Sequence, residues 1–449
     1  MTEGMNVSAW RPLLRGEALE RARAVVEELA VAVSSPAPLC VNKDWSPSFI
    51  RVRGASLGSG LAGQALFCGY LHQWDKEERS AALGVELLDR AIEVVCGERM
   101  APTLYGGFPG IAWAGSHLAG RLYEAGEEDA YEETDEVLRE YVRQRRWPFH
   151  YDLISGLVGI GVYGLERLPR ASARRCLEAV VERLEEVAER GAAGITWSTP
   201  PELLIEERRQ QHPQGLHDLG MAHGISGVVS LLAWLWSAQV SRERVGPLLE
   251  GAVTWLLSQT LPAGSASRYP NWRGAGQEAG PSRLAWCYGD PGVAASLLRA
   301  AGALDRADWR REGMATALGA ARRPLAASGV KDACLCHGSA GLAHIFNRLY
   351  QATGEQELGA AAQFWYEQLL AARAPGEDHG GYRFEVREWE ETSRVPDSSF
   401  LSGTAGVGLA LLAATTAVEP AWDRALLTNI PPLAAAGSVR GAGDAGRAP

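Results

Sequence analysis

A pair of glycines separated by two residues recurs seven times in this chain, and each time an apolar run of helical character follows it. The first glycines of successive pairs are 47 to 68 residues apart. The pairs are Gly60–Gly63, Gly107–Gly110, Gly156–Gly159, Gly224–Gly227, Gly289–Gly292, Gly338–Gly341 and Gly403–Gly406. Such recurrence along nearly the whole length indicates that one supersecondary unit is repeated.

Two kinds of helical segment alternate between the glycine pairs. One kind is amphipathic, as in 171–190, where apolar residues fall three or four apart and Arg and Glu fill the other face. The other kind follows each pair and is apolar almost all round, as in 227–236, which is typical of a buried helix. Further amphipathic segments are 81–96, 130–145 and 245–260.

This alternation predicts an all-α fold, an (α/α)7 toroid or barrel with seven inner and seven outer helices. We expect the glycines at the start of each inner helix, because a missing Cβ lets backbones approach closely and permits positive φ. The seven turns would then lie at one end of the barrel, around its axis.

The predicted toroid spans residues 46–430. We expect residues 1–45 to form a partly flexible N-terminal segment, and residues 431–449, which are low in complexity, to form a disordered tail. Three longer connections, rich in Pro, Gly, Trp or charge, are typical of lids and substrate-binding loops. They are 194–219, 261–284 and 374–400, before the fourth, fifth and seventh pairs.

Composition narrows the range of partners. The net charge is −10 and no run of Lys and Arg suits phosphates, so we expect no nucleic-acid partner. Residues 1–14 lack the pattern of a secretory signal, and no window of 18 strongly apolar residues occurs, so we expect no stable membrane insertion. The seven scattered cysteines favour a reducing compartment. These features predict a cytoplasmic protein.

Three of the seven turns carry soft metal ligands just before the first glycine. His223 precedes the fourth pair, Cys287 lies two residues before the fifth, and Cys336 and His337 precede the sixth. If the turns converge on the axis, these side chains meet. Two thiolates and one imidazole suit Zn²⁺, and three protein ligands leave a fourth position open, as in catalytic zinc sites.

Each of these residues also has an ordinary structural interpretation. A single cysteine beside Trp, such as Cys287, is more often a buried apolar residue, and a single histidine such as His223 is more often a satisfied polar group. Their shared position in the repeat favours the metal site. Cys334 is an alternative ligand to Cys336, but it lies two residues further from the glycine.

Four strings at these turns resemble those of lanthionine synthetase C proteins. They are Tyr-Asp-Leu-Ile-Ser-Gly-Leu-Val-Gly at 151–159, Gly-Met-Ala-His-Gly-Ile-Ser-Gly at 220–227, Arg-Leu-Ala-Trp-Cys-Tyr-Gly-Asp-Pro-Gly at 283–292 and Cys-His-Gly-Ser-Ala-Gly at 336–341. That family comprises the stand-alone cyclases of class I lanthipeptide biosynthesis, with an (α/α)7 toroid of the nisin cyclase type. The resemblance spans roughly residues 50–415 and fades before Ser46, so it maps no leader-peptide site.

The resemblance implies one Zn²⁺ per chain, held by Cys287, Cys336 and His337, with water or a substrate cysteine in the fourth position. Coordination to Zn²⁺ deprotonates a thiol whose pKa is ordinarily about 8.5. The implied reaction adds that thiolate to the β-carbon of a dehydroalanine or dehydrobutyrine in the same peptide, which closes a (methyl)lanthionine ring. The implied partner is a dehydrated precursor peptide with leader and core. A lanthipeptide dehydratase and an exporter are further candidate partners.

The resemblance also implies roles for four residues beside the metal ligands. His223 matches an acid/base histidine, and Asp152 matches an aspartate that orients it. Arg283 matches an active-site arginine that could stabilise the enolate, and Tyr288 lines the site. The structural alternatives are a helix N-cap for Asp152 and an ion pair for Arg283.

Three other functions stay open at this point. A zinc thiol-alkylating enzyme of prenyltransferase type needs a basic diphosphate pocket, for which no Lys and Arg cluster appears near the motifs. A non-catalytic or glutathione-binding relative would keep the same fold. An (α/α) glycosidase needs paired carboxylates at the barrel mouth, where Asp152 and Asp290 are the candidates.

Overall fold

Sixteen α-helices account for most of the part of the chain that the structure, a computed structural model, describes: residues 10–34, 44–124, 126, 128–377, 379–388 and 391–433. Seven of them begin at the glycine pairs: α3 (Leu61–Asp75), α5 (Phe108–Leu118), α7 (Leu157–Glu166), α10 (Ile225–Ser237), α12 (Asp290–Leu304), α14 (Ser339–Thr353) and α16 (Thr404–Thr415). Seven cover these: α1 (Gly16–Ser34), α4 (Glu78–Gly97), α6 (Glu132–Val142), α8 (Ala171–Glu186), α11 (Arg242–Leu257), α13 (Ala307–Ala321) and α15 (Gln356–Ala371). Two short helices, α2 (Pro47–Ala55) and α9 (Glu206–Gln211), complete the set.

The seven helices that follow the glycine pairs form a closed inner ring. Each packs on the next one along the chain, and α16 packs on α3. Their residues are buried on nearly every side, whereas the outer helices bury one face only. The predicted amphipathic segments all fall on outer helices, with ends that differ by a few residues. The all-α toroid predicted from the sequence is confirmed.

The first glycine of every pair is the N-cap of an inner helix. A Cβ on either glycine of any pair would lie within 3.0 Å of the preceding backbone, a distance that real Cβ atoms essentially never show. Among the first glycines only Gly289 has a positive φ, of 119°. Close approach of the backbone therefore explains why glycine recurs at these positions. The positive φ expected from the sequence occurs at only one of the seven first glycines.

Backbone hydrogen bonds join neighbouring turns at the residue two positions before the first glycine. Because the same position is used in successive repeats, residues that are equivalent in sequence become neighbours in space. The bonds run from the N–H of Gly58 to the carbonyl of Tyr105 (2.9 Å), Ala222 to Cys287 (3.2 Å), Cys287 to Cys336 (3.3 Å), Cys336 to Leu401 (2.9 Å) and Leu401 to Gly58 (3.2 Å).

The outer position beside α16 is occupied by α1, from the N-terminal segment. Val26 and Leu29 of α1 are buried, and Leu13 N–H donates to the carbonyl of Ala414 at 2.8 Å. Residues 10–34 are thus packed on the toroid, although the sequence placed 1–45 outside it. Residues 1–9, 35–43 and 434–449 lie outside the described residues, and these include nearly all of the predicted tail.

The longer connections contain short strands that pair in antiparallel fashion. The strands are β1 (Glu189–Gly191), β2 (Gly194–Thr196), β3 (Leu216–Asp218), β4 (Trp272–Gly274), β5 (Phe384–Glu388) and β6 (Glu391–Val395). They pair as β1–β2, β3–β4 and β5–β6. The β3–β4 pair joins the connection before the fourth glycine pair to the one before the fifth, so these two loops support each other above the turns.

No helix within the described residues has both the length and the apolar character that crossing a bilayer requires.

We predict that Gly110→Ala lowers the free energy of unfolding by about 1–3 kcal/mol, because its Cβ would collide with the carbonyl oxygen of Leu104. The matched control is Gly319→Ala on α13, where a Cβ meets nothing within 4 Å. We expect that control to raise the free energy of unfolding by about 0.5–1 kcal/mol, since alanine is the better helix former. Chemical denaturation measures both. Equal effects of the two substitutions would contradict the close-approach explanation.

Candidate metal centre

The fifth and sixth turns bring three metal-ligating side chains together. The ligand atoms of Cys287, Cys336 and His337 all lie within 4.8 Å of one another. In a tetrahedral zinc site, Zn–S of about 2.3 Å and Zn–N of about 2.0–2.1 Å put the ligand atoms about 3.5–3.8 Å apart. The three side chains therefore fit Zn²⁺ after a small inward movement, and their donor set of two sulfurs and one nitrogen is one that zinc prefers.

The bond between the two turns explains how residues 49 positions apart in sequence meet. Cys287 and Cys336 occupy the same repeat position, and the N–H of Cys287 donates to the carbonyl of Cys336. Cys287 is buried, whereas Cys336 and His337 are partly exposed. The centre is therefore reachable from solvent, as an open fourth coordination position would require.

The two thiols and Arg283 form one charge-coupled group. The pKa of Cys287 lies well below its usual range because Cys336 donates a hydrogen bond to it, assisted by His337 and the Arg283 charge, although burial opposes the shift. The pKa of Cys336 is raised well above its usual range because it is the donor in that bond and because the surrounding protein partly removes water from its sulfur. Arg283 Nη2 donates to Cys287 Sγ at 3.5 Å. The two shifts are opposite in direction, so Cys287 is the sulfur that more readily carries negative charge beside Arg283.

Arg283 does not serve as an ordinary ion-pair partner in this structure. Among the described residues no carboxylate oxygen lies within 4.0 Å of its guanidinium, whose contact is the Cys287 sulfur. The structural ion pair considered from the sequence is therefore wrong, and the cation faces the thiols.

Cys334 performs a different task from Cys336. Its sulfur accepts the N–H of His337 at 3.4 Å, three residues further on. At the equivalent position of other repeats, Ser56, Asp152 and Ser399 accept the corresponding N–H. Cys334 therefore closes the turn of its own repeat, a pattern that sequence analysis did not recognise although each of these residues lies four positions before the first glycine of its pair.

A second group of possible ligands consists of Asp332, Cys334 and His337, whose ligand atoms also lie within 4.8 Å of one another. The carboxylate of Asp332 is occupied on both sides, since Oδ1 accepts the N–H of Cys334 (2.9 Å) and Oδ2 accepts the N–H of Glu385 (3.2 Å). These local bonds favour the group that contains Cys336.

Asp152 binds His223 beside the metal-ligating side chains, at the rim, by which we mean the end of the toroid where the seven glycine turns lie. Asp152 is buried, and its Oδ2 accepts a hydrogen bond from His223 Nδ1 at 2.7 Å. Its Oδ1 accepts the N–H of Ser155 at 2.7 Å. The N-cap of α7 is Gly156, so the cap interpretation of Asp152 is wrong, and this carboxylate instead bonds a turn and a histidine.

The charge around His223 favours its protonated form. Burial lowers the pKa of His223, but the hydrogen bond and charge of Asp152, together with the charges of Asp218 and Cys287, outweigh burial and raise it. The side chain is 40% exposed. With Nδ1 on Asp152, Nε2 is the nitrogen available to another group.

Tyr288 contacts the imidazole ring, and Asp218 and Arg208 contact Tyr288 in turn. The Tyr288 ring stacks on His223 with centroids 5.9 Å apart, and its hydroxyl donates to Asp218 Oδ1 at 2.9 Å. Arg208 Nη1 lies 3.7 Å from the same oxygen. Burial raises the pKa of Asp218 to about 6. Sequence analysis missed Asp218 and Arg208, because both lie in a long connection rather than in a glycine turn.

Comparisons with known proteins agree with the fold. A family model described as lanthionine synthetase C-like protein matches residues 51–427. The chain is similar to the nisin biosynthesis protein NisC of Lactococcus lactis subsp. lactis, with 24% identity over 323 residues, 66% of this chain and 74% of that protein. It is also similar in structure to a nisin cyclase, with a TM-score of 0.70 and 19% identity, over 91% of this chain and 97% of that one. At this identity the structural likeness concerns the fold.

We predict that Asp152→Asn lowers the pKa of His223, so that the imidazole loses its proton at a lower pH than in the unsubstituted protein. Asparagine keeps an oxygen for the Ser155 N–H but removes the negative charge that raises the pKa. The pH titration of the ring proton by NMR measures this shift.

Asp397→Asn is the matched control, since it removes one carboxylate from another turn, where Asp397 Oδ1 accepts the N–H of Ser399. We expect it to leave the His223 titration in place. A His223 pKa that stays unchanged or rises in Asp152→Asn would contradict the charge coupling.

Proposed function

Since this chain belongs to the lanthionine synthetase C-like family, we propose that it is a zinc-dependent lanthipeptide cyclase. Its substrate is a dehydrated precursor peptide with leader and core, in which it joins cysteine to dehydroalanine or dehydrobutyrine. One observation carries the proposal: the Cys287, Cys336 and His337 group and the His223–Asp152 pair lie on adjacent turns of one rim.

The proposed metal ligands are Cys287, Cys336 and His337, with one Zn²⁺ per chain. Zn²⁺ held there would supply a Lewis acid that favours the thiolate form of a substrate cysteine. Three protein ligands on a partly exposed site leave room for that cysteine.

The reaction is a net addition that needs no co-reactant. The sulfur of the peptide cysteine forms a bond to the β-carbon, the carbon–carbon double bond becomes an enolate, and the α-carbon then takes up a proton. The thiol loses one proton and the α-carbon gains one, so a single acid/base group can balance the reaction.

We assign that proton transfer to His223. Its Nδ1 donates to Asp152, which fixes the ring orientation and the tautomer and leaves Nε2 for the reacting groups. Tyr288, stacked on the imidazole and bonded to Asp218, keeps the ring from tilting.

Arg283 is the proposed electrostatic partner. Its guanidinium lies beside the Cys287 sulfur, where it offsets negative charge on the thiols and offers a hydrogen-bond donor to the enolate oxygen. A positive group already held in place costs little reorganisation during the reaction.

The double bond must be supplied by a separate dehydration, since the addition itself consumes it. A lanthipeptide dehydratase is therefore a proposed partner. An exporter is the other proposed partner. The cytoplasm is the proposed location, because unpaired catalytic thiols suit a reducing compartment.

We predict about one zinc ion per chain in the unsubstituted protein after zinc loading and desalting, and loss of that zinc in Cys287→Ala and Cys336→Ser. Cys334→Ser is the matched control. Serine occupies the same repeat position at Ser56 and Ser399, so this variant should keep both the turn and the zinc. Elemental analysis measures zinc per chain. Zinc that is lost from Cys334→Ser and kept by Cys336→Ser would assign the ligands to the Asp332, Cys334 and His337 group instead.

We predict that His223→Asn slows cyclisation at least about 100-fold while zinc content is unchanged, because the acid/base group is removed and the ligands are not. The substrate is a peptide containing dehydroalanine and cysteine. Cyclisation leaves the mass unchanged, so the measurement counts peptide thiols that still react with a maleimide. Cys334→Ser serves again as the active control.

Peptide thiols that stay free with the unsubstituted, zinc-loaded protein would overturn the cyclase proposal. Calorimetric titration of that protein with glutathione then tests the glutathione-binding alternative directly.

A further inference from the structure

A pocket of about 350 Å³ lies between the segment that precedes Asp152 and the connection before the fourth glycine turn. Its walls include Trp147, Phe149, Tyr151, Trp197, Pro200 and Leu203, and we call it the aromatic pocket. This volume is near the lower end of the range for ligand sites, so it accommodates one or two large side chains rather than a cofactor.

Several polar atoms of its walls are already engaged elsewhere, whereas the buried hydroxyl of Tyr151 has no hydrogen-bond partner among the described residues and Glu202 adds a carboxylate. Trp147 Nε1 donates to the carbonyl of His150 at 3.0 Å, and Trp197 Nε1 donates to the carbonyl of Leu184 at 2.9 Å. The hydroxyl of Ser198 donates to the Glu189 carboxylate. Because most of the lining residues are aromatic or aliphatic, these walls offer a ligand mainly hydrocarbon, with the Tyr151 hydroxyl as one polar group.

Phe149 presents an exposed aromatic ring that is held in place before any ligand arrives. Its side chain is 40% exposed, yet its ring lies 5.3 Å from that of Trp147 and 5.2 Å from that of Tyr141. Trp147 and Tyr141 also contact each other, at 5.5 Å. A preformed aromatic surface of this kind binds an apolar group without the cost of ordering side chains.

Both walls of the aromatic pocket continue into the proposed acid/base pair. Tyr151 directly precedes Asp152, whose carboxylate holds His223. On the other wall, Thr199 and Leu216 exchange backbone hydrogen bonds at 2.8 and 3.0 Å. Leu216 begins β3, which ends at Asp218, five residues before His223. The pocket therefore shares the residue Tyr151 with the segment that carries Asp152, and its other wall belongs to the connection that leads to His223.

We propose that the aromatic pocket binds an aromatic or branched aliphatic side chain of the peptide substrate, close in sequence to the residues that are joined. This inference rests on the proposed cyclase function. The pocket then acts as a specificity site that decides which cysteine or dehydrated residue is presented to the rim.

The test compares two synthetic peptides that contain dehydroalanine and cysteine at a fixed spacing and differ in one neighbouring residue, Leu or Ser. We expect the unsubstituted protein to cyclise the Leu peptide with a kcat/KM at least about 10-fold above that of the Ser peptide. Phe149→Ala and Leu203→Ser should bring this ratio close to one, with zinc content unchanged.

Phe364→Ala is the matched control. Phe364 lies on outer helix α15 and is 39% exposed, nearly the same as Phe149, but it is not part of the pocket. We expect this variant to keep the Leu preference of the unsubstituted protein. Circular dichroism verifies that all variants are folded.

Binding of unreactive peptides separates this inference from the cyclase proposal. In these peptides alanine replaces dehydroalanine, and calorimetry measures their Kd. A Leu preference in binding that disappears in Phe149→Ala, without cyclisation of the reactive peptides, supports the pocket and overturns the cyclase function. Cyclisation at equal rates for both peptides, or a Phe149→Ala variant that changes only the association state of the protein, overturns the pocket.

Discussion

The close approach of backbone at the glycine turns is the constraint on which the rest of the structure depends. A side chain at either glycine of a pair would enter the space of the preceding turn, so only glycine lets the chain reverse before each inner helix. Tight turns in turn bring the residues two positions before the first glycine within hydrogen-bonding distance of the next repeat. Backbone bonds at this position therefore join five of the seven pairs of neighbouring turns among the described residues, and the apolar helices pack beneath them.

Because backbone bonds join equivalent residues of neighbouring turns, residues at the same position of successive repeats lie next to each other in the structure. Cys287 and Cys336 are neighbours because their turns are bonded at that residue, and His337 follows at once. Asp152 shows how one repeat position gains chemistry, since it bonds a turn N–H as Ser56 and Ser399 do but has a second oxygen for His223. A turn-closing carboxylate thus holds a candidate catalytic histidine.

The inner helices could be predicted from sequence because their glycines and apolar runs recur with every repeat. The outer role of α1 could not, since α1 is separated from its partner α16 by nearly the whole chain, and no periodic signal records such a contact. Asp218 and Arg208 were missed for a related reason. They reach Tyr288 from a long connection, where position relative to a glycine pair carries no information. The opposite pKa shifts of Cys287 and Cys336 depend on their mutual hydrogen bond and on burial, which only three-dimensional proximity reveals.

The division between turns and connections lets chemistry and recognition vary independently. At the turns, the backbone is packed so closely that even one added Cβ at a paired glycine would clash. Side chains can therefore vary there only at the positions before the glycines. The connections are instead held by a few backbone bonds among themselves, such as Leu219 N–H to the carbonyl of Asn271 at 2.9 Å and the Thr199–Leu216 pair. Their partly exposed residues, such as Leu203, take no part in the turn contacts that form the ring. The proposed reacting centre can therefore stay fixed while the walls of the aromatic pocket, the proposed site for a peptide side chain, vary.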